Sequence, residues 1–132
     1  MTRRRASDWI FCTLWLITAL GVAGVYGLIG AQAALARDLA GRLDRGHAAL
    51  AEGDWTAAQE AVAQVRDQWE QARRWLALHT EHDLLQQIAE TLLEAETLVR
   101  ARDPAALSPL LLARERILNL PERDRLLLRN LF

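Results

Sequence analysis

Residues 9–30 carry no charged side chain, and this uncharged run of 22 residues constrains the fold more than any other feature of the chain. As an α-helix it would extend about 33 Å, against about 30 Å for the hydrocarbon core of a bilayer. Asp8 and Arg37 are the nearest charges on its two sides. A cleavable signal peptide is the rival reading, because Arg3, Arg4 and Arg5 resemble its basic start and Ala31-Gln32-Ala33 resembles a small-residue cleavage site. The run is longer than the roughly 7–15 apolar residues of such peptides, which favours a retained anchor. Arg3–Arg5 lie clustered beside the run, whereas Arg37, Arg42 and Arg45 are spread further out. The positive-inside rule then puts the N-terminus in the cytoplasm. The expected organisation is a short cytoplasmic segment (1–8), a transmembrane signal-anchor helix (9–30) in the cell membrane and an extracytoplasmic helical bundle (31–132).

One face of the apolar run is small. Ala19, Ala23, Gly27 and Ala31 recur every four residues, and Gly21, Gly24, Gly27 and Gly30 every three. Small residues let helix backbones approach closely in lipid. This face is therefore expected to pack against a partner helix, either of another membrane protein or of a second copy of this chain. Cys12 lies within the run as an apolar filler, and as the single cysteine it excludes an intramolecular disulfide.

A chain of 132 residues is too short for a doubly wound nucleotide-binding fold or a barrel enzyme. The net charge of −1, with no basic stretch outside the N-terminus, argues against nucleic acid as a partner. All 16 basic residues are Arg, and residues 31–132 carry 13 of them against 16 acids. That segment shows helical periodicity and no strand alternation. A first helix continues from the anchor to about Glu52, with Leu39, Leu43, Gly46 and Leu50 on one face. Gly53 stops it and Asp54 caps the next. The second helix, about Trp55 to His79, repeats Trp55, Ala58, Val62, Val65, Trp69, Ala72, Leu76 and His79 at alternating spacings of three and four. That is a seam of large and small side chains, with Glu60, Asp67, Glu70 and Arg73 on the solvated side.

Thr80, with Asp83 three residues on, fits the cap of a third helix whose stripe is Leu85, Ile88, Leu92, Ala95 and Val99. Asp103-Pro104 and Ser108-Pro109 each signal a helix start. The main fourth helix is expected from Pro109 to Asn119, and Pro121 should open a last short one. The junction Gly53-Asp54-Trp55-Thr56-Ala57 recurs weakly as Arg102-Asp103-Pro104-Ala105-Ala106. The fold class expected is all-α: a transmembrane helix followed by a small antiparallel bundle of two helical hairpins and a short C-terminal helix.

Chemistry-bearing residues gather at one place. His79, Glu81, His82 and Asp83 fall within five residues. They are ligand types for zinc, so one reading is a sensor or metal-binding corner. No His-Glu-x-x-His motif accompanies them, and Glu81 and Asp83 are equally explained as acids in a first helical turn. Trp75, one position off the seam, either packs on a third helix or serves as an aromatic anchor for a partner. Ser7 and Ser108 are the only serines and have no base in their sequence context, so nucleophilic catalysis is not expected. Neither a cofactor nor a metal is assigned.

Several of these residues resemble those of a family of short, uncharacterised bacterial proteins, found mainly in Gram-positive and often spore-forming species. The resemblance is carried by Gly53-Asp54-Trp55 with Ala58, by Trp69 and Trp75, by His79-Thr80-Glu81 with Asp83, and by Pro121-Glu122 and Asn130-Leu131-Phe132. It implies an N-terminal membrane anchor, a helical extracytoplasmic domain and an accessory role beside a multi-pass membrane protein. The family has no assigned activity. The expected function is a non-enzymatic, single-pass accessory or scaffold subunit with Ala19, Ala23, Gly27 and Ala31 in lipid and Trp75, His79, Glu81 and Asp83 outside it. The alternative is the sensor or metal-binding module.

Overall fold

The computed structural model describes residues 2–78 and 80–131, with side chains at all of these except 2–7, 124, 127, 128 and 131. Among the described residues the chain is helical, without strands. Helix α1 is Thr2–Ala51, α2 is Trp55–Leu76, α3 is His82–Arg100, and α4, Leu107–Leu131, follows a single 3-10 turn at Pro104–Ala106. Each helix packs on the next in sequence, and α4 returns to pack on α1. The core is the seam expected from periodicity. Ala58, Val62, Val65, Trp69, Ala72 and Leu76 of α2 are buried. They meet Leu39 and Leu43 of α1, Leu85, Ile88, Leu92, Ala95 and Val99 of α3, and Leu110, Ala113 and Ile117 of α4. At Gly46 α1 lies close against α2: a Cβ there would sit 3.3 Å from the Ala61 Cβ. Leu50, placed on the buried face by spacing, is half-buried, and Ala49 takes the core position.

The weak repeat is a repeated turn. Gly53 and Arg102 both have positive φ, +75° and +54°. Each helix ends with the same pair of hydrogen bonds: Gly53 N–H to Leu50 O and Asp54 N–H to Ala49 O, then Arg102 N–H to Val99 O and Asp103 N–H to Leu98 O. This six-residue closure satisfies helix-end carbonyls. Asp54 then accepts from the Ala57 N–H at 3.1 Å and Asp103 from the Ala105 N–H at 2.9 Å, each starting the following element.

Two expected boundaries move. Thr80 does not cap α3: Glu81 is the residue before it, in an extended conformation and without a side-chain cap bond. The reason is that α2 unwinds through further turns, in which the Leu78 N–H donates to Trp75 O and the Thr80 N–H to Leu76 O. Thr80 therefore belongs to the end of α2, and its hydroxyl is buried without a hydrogen-bond partner among the described residues. Pro121 does not open a separate helix but lies inside α4, so the expected short C-terminal helix is the last part of α4 itself. Proline removes one backbone hydrogen bond and disfavours helix in its preceding residue. Here Ala113, Ile117, Leu120 and Pro121 keep one buried stripe, and packing on the core holds the helix across the defect.

Arginines tie the helices together at the core's rim. Arg42 of α1 donates to Gln64 of α2 at 2.9 Å, and Arg114 of α4 to Asp44 of α1 at 2.6 Å. Arg116 of α4 donates to the Thr91 hydroxyl of α3 at 2.6 Å. Between α2 and α3, the buried Glu96 carboxylate accepts from Arg66 at 2.5 Å and from Arg100 at 2.6 Å. The hydrogen bond and the charge of Glu96 hold the Arg66 guanidinium above its usual pKa, against a smaller desolvation effect. A raised pKa contributes stability that is lost only as pH rises through it, and an arginine's lies above the working range. Arg66 is therefore a permanent cation.

Candidate site at the α1–α4 end of the bundle

Helix α1 has two halves in different surroundings. From Trp9 to Leu28 every residue is exposed, with Trp9 at 76% and Tyr26 at 71%. Gln32 is the first buried residue, and from Ala36 onward α1 contributes a core stripe. No break separates the halves. The helix that carries the uncharged run is thus also the first helix of the bundle, without a linker. Residues 8–51 form a helix long and apolar enough to cross a membrane, with none of its most apolar window buried.

The end of the bundle from which the apolar half projects is built by α4 and by the corner between α2 and α3. Helix α4 is antiparallel to α1, and the Arg114–Asp44 bond fixes their register. With both helices rising about 1.5 Å per residue, the last turn of α4 passes Gly30 and reaches the apolar half. A groove of about 860 Å³ opens there, lined by Thr18, Gly21, Val22, Val25, Tyr26, Ile29 and Gly30 of α1 and by Arg125 and Arg129 of α4. The α2–α3 corner lies at the same end, with Leu78 86% exposed.

The small-residue positions are divided between faces, with Gly21 and Gly30 lining the groove. At 100° per residue, the groove residues span one side of α1; Ala19 falls at the edge of that side between Tyr26 and Gly30, Ala23 just beyond it, and Gly27 and Ala31 turn away from it. All four are exposed, and nothing lies within 4 Å of where a Gly27 Cβ would be. The apolar half therefore presents one face grooved by the end of α4 and another that carries Gly27 and Ala31.

The chemistry-bearing corner is only partly described. His79 lies outside the described residues. Glu81 is exposed and forms an ion pair with Arg123 of α4 at 3.5 Å. His82 and Asp83 are exposed in the first turn of α3. Among the described residues no three His, Cys, Asp or Glu side chains are grouped to hold a metal ion. Trp75 is half-buried and packs against the core cluster.

Sequence reasoning missed Arg125 and Arg129. Their signal was present: two arginines four apart in a leucine-rich tail, a basic amphipathic helix end.

A four-helix, all-α bundle continuous with an uncovered apolar helix defines the class of this protein. Within that class, the chain belongs to the DUF4363 family, a domain of unknown function, whose model matches residues 32–131. No curated protein and no solved structure matches the chain. The matched segment opens at Gln32, the first buried residue of α1, so the family's shared part coincides with the bundle.

Proposed function

We propose that this protein is a non-enzymatic, single-pass membrane protein whose bundle lies outside the cytoplasmic membrane and serves as an accessory or scaffold subunit of another membrane protein. The observation that carries the reading is the unbroken α1, uncovered and apolar over residues 9–28 and core-forming from Gln32. An exposed apolar surface of that extent is costly in water and satisfied in lipid. Retention of the anchor is favoured by the same continuity, because cleavage near Ala31-Gln32-Ala33 would cut inside a helix already packed at Gln32 and Ala36. The N-terminus is cytoplasmic because Arg3–Arg5 flank the span directly. The arginines that α4 brings near the membrane arrive by folding, after insertion has set the orientation. A linker-free helix also holds the bundle at a fixed place relative to the bilayer, as a scaffold requires. Its small-residue face, with Ala19, Ala23, Gly27 and Ala31, is where a partner's helix would pack in lipid.

The experiment is crosslinking of a natively expressed, C-terminally tagged chain within its membrane, with mass spectrometry of what is attached. One dominant multi-pass membrane protein is expected, and Gly27→Leu should reduce its yield several-fold. Recovery of nothing beyond the chain itself overturns the accessory role.

A further inference from the structure

We propose that the groove between α1 and the end of α4 is a phospholipid site, holding an acyl chain along α1 and an anionic headgroup between Arg125 and Arg129. This rests on the membrane-anchored reading above and adds a ligand to it. Five arginines of α4 have described side chains. Arg114, Arg116 and Arg123 are engaged within the fold, by Asp44, Thr91 and Glu81. Arg125 and Arg129 are exposed and have no ion-pair or hydrogen-bond partner among the described residues; both line the groove. A guanidinium binds a phosphate through paired N–H donors, so two of them one turn apart form a ready anion clamp.

Depth selects a lipid over an acidic protein. The register of α4 on α1 sets Arg129 close to the level of Ile29, inside the uncharged run. A cation at that depth is stabilised by reaching to a headgroup phosphate at the interface. From there the groove runs away from the bundle along Val25, Val22 and Gly21, where a peptide would bring unsatisfied backbone into hydrocarbon and an acyl chain brings none. Its volume, about 860 Å³, lies within the roughly 300–1,000 Å³ of small-molecule sites. The exposed Leu78 and Leu126, at the same end of the bundle, are the apolar neighbours expected of a surface resting in the interface.

The test uses the full chain, extracted in mild detergent and exchanged into nanodiscs of phosphatidylcholine with a minor share of phosphatidylglycerol. Native mass spectrometry counts the lipid kept by the protein. A photoactivatable acyl chain on the phosphatidylglycerol locates it. Preferential retention of phosphatidylglycerol is expected, with crosslinks in residues 18–30. Arg125→Gln/Arg129→Gln should reduce the preference about tenfold. Arg123→Gln, whose guanidinium faces Glu81, should leave it unchanged, and circular dichroism confirms that each variant is folded. Equal retention of the two lipids, or a preference that survives the double substitution, overturns the proposal. So does displacement of the lipid by a bound acidic protein in native extracts. Carbonate extraction of membranes separates the two readings. A chain released by carbonate ends the anchor and the lipid site together. A chain retained but without lipid preference ends the lipid site alone.

Discussion

The two halves of α1 are one helix with two kinds of surface. Residues 9–28 are apolar around the whole circumference and exposed, whereas residues 32–51 are apolar along a stripe that is buried against α2 and α4. The difference shows that helicity and packing are separate decisions. In the first half the backbone satisfies itself and the side chains from Trp9 to Leu28 are exposed among the described residues. In the second half one face is covered and the other meets water. Glycine marks the contrast most clearly. Gly46 lies where a Cβ would touch Ala61 at 3.3 Å, and Gly27 lies where it would meet nothing within 4 Å among the described residues.

The contrast is broken most strongly by emptying the core. Trp69→Ala should cost about 3–5 kcal/mol, measured by urea unfolding of the full chain in detergent micelles. In the same assay Leu14→Ala in the apolar half should change the unfolding of the bundle by less than about 0.5 kcal/mol. A comparable loss from Leu14→Ala would show that the apolar half is part of the folded core.

Glycine sharpens the comparison next. Gly46→Leu should destabilise by about 1–3 kcal/mol through overpacking against α2. Gly27→Leu should leave the urea midpoint in place and act only on association in the membrane.

A smaller effect is expected at the buried carboxylate. Glu96→Gln weakens two charge-assisted hydrogen bonds and should cost about 1–2 kcal/mol. A double-mutant cycle with Arg66→Gln would show coupling, since the residues are in direct contact. Additive effects would mean that the pair contributes nothing to joining α2 and α3.

The smallest effects belong to the repeated turn. Gly53→Ala should destabilise by about 1 kcal/mol, because a Cβ disfavours positive φ. Arg102→Gly should be neutral or stabilising by up to about 0.5 kcal/mol, since relief of that strain is offset by the greater freedom of glycine when unfolded. A clear loss at Arg102 would mean that its side chain contributes more than its backbone strain costs.

Much of this fold was legible in the residues because the signals are local. Asp54 and Asp103 cap where their side chains reach an N–H two or three residues on. The seam from Ala58 to Leu76 follows from a period of 3.6 and needs no knowledge of what it packs on. Thr80 failed as a cap because α2 had a competing use for that segment, a run of turn hydrogen bonds. Pro121 failed as a boundary because the buried stripe of α4 outweighed one missing hydrogen bond. The candidate site was the least legible part. His79, Glu81 and Asp83 drew attention by residue type, yet Glu81 turned out to be paired with Arg123. The i, i+4 spacing of Arg125 and Arg129 in a leucine-rich tail is a weak local signal, and only the fold sets them beside α1.

The uncharged run, the helical class, the core stripes and the two glycine-like turns were determined by the amino-acid sequence alone, since each depends on neighbours within one or two turns. Continuity of α1 from apolar run to bundle was likewise expected from the sequence, whereas tertiary structure alone decided that α4 continues through Pro121 and that its last arginines lie beside Tyr26 and Ile29. Those outcomes depend on the antiparallel register of α4 on α1, set by interlocking core side chains and by the Arg114–Asp44 bond across 70 residues of chain. No local pattern encodes that distance.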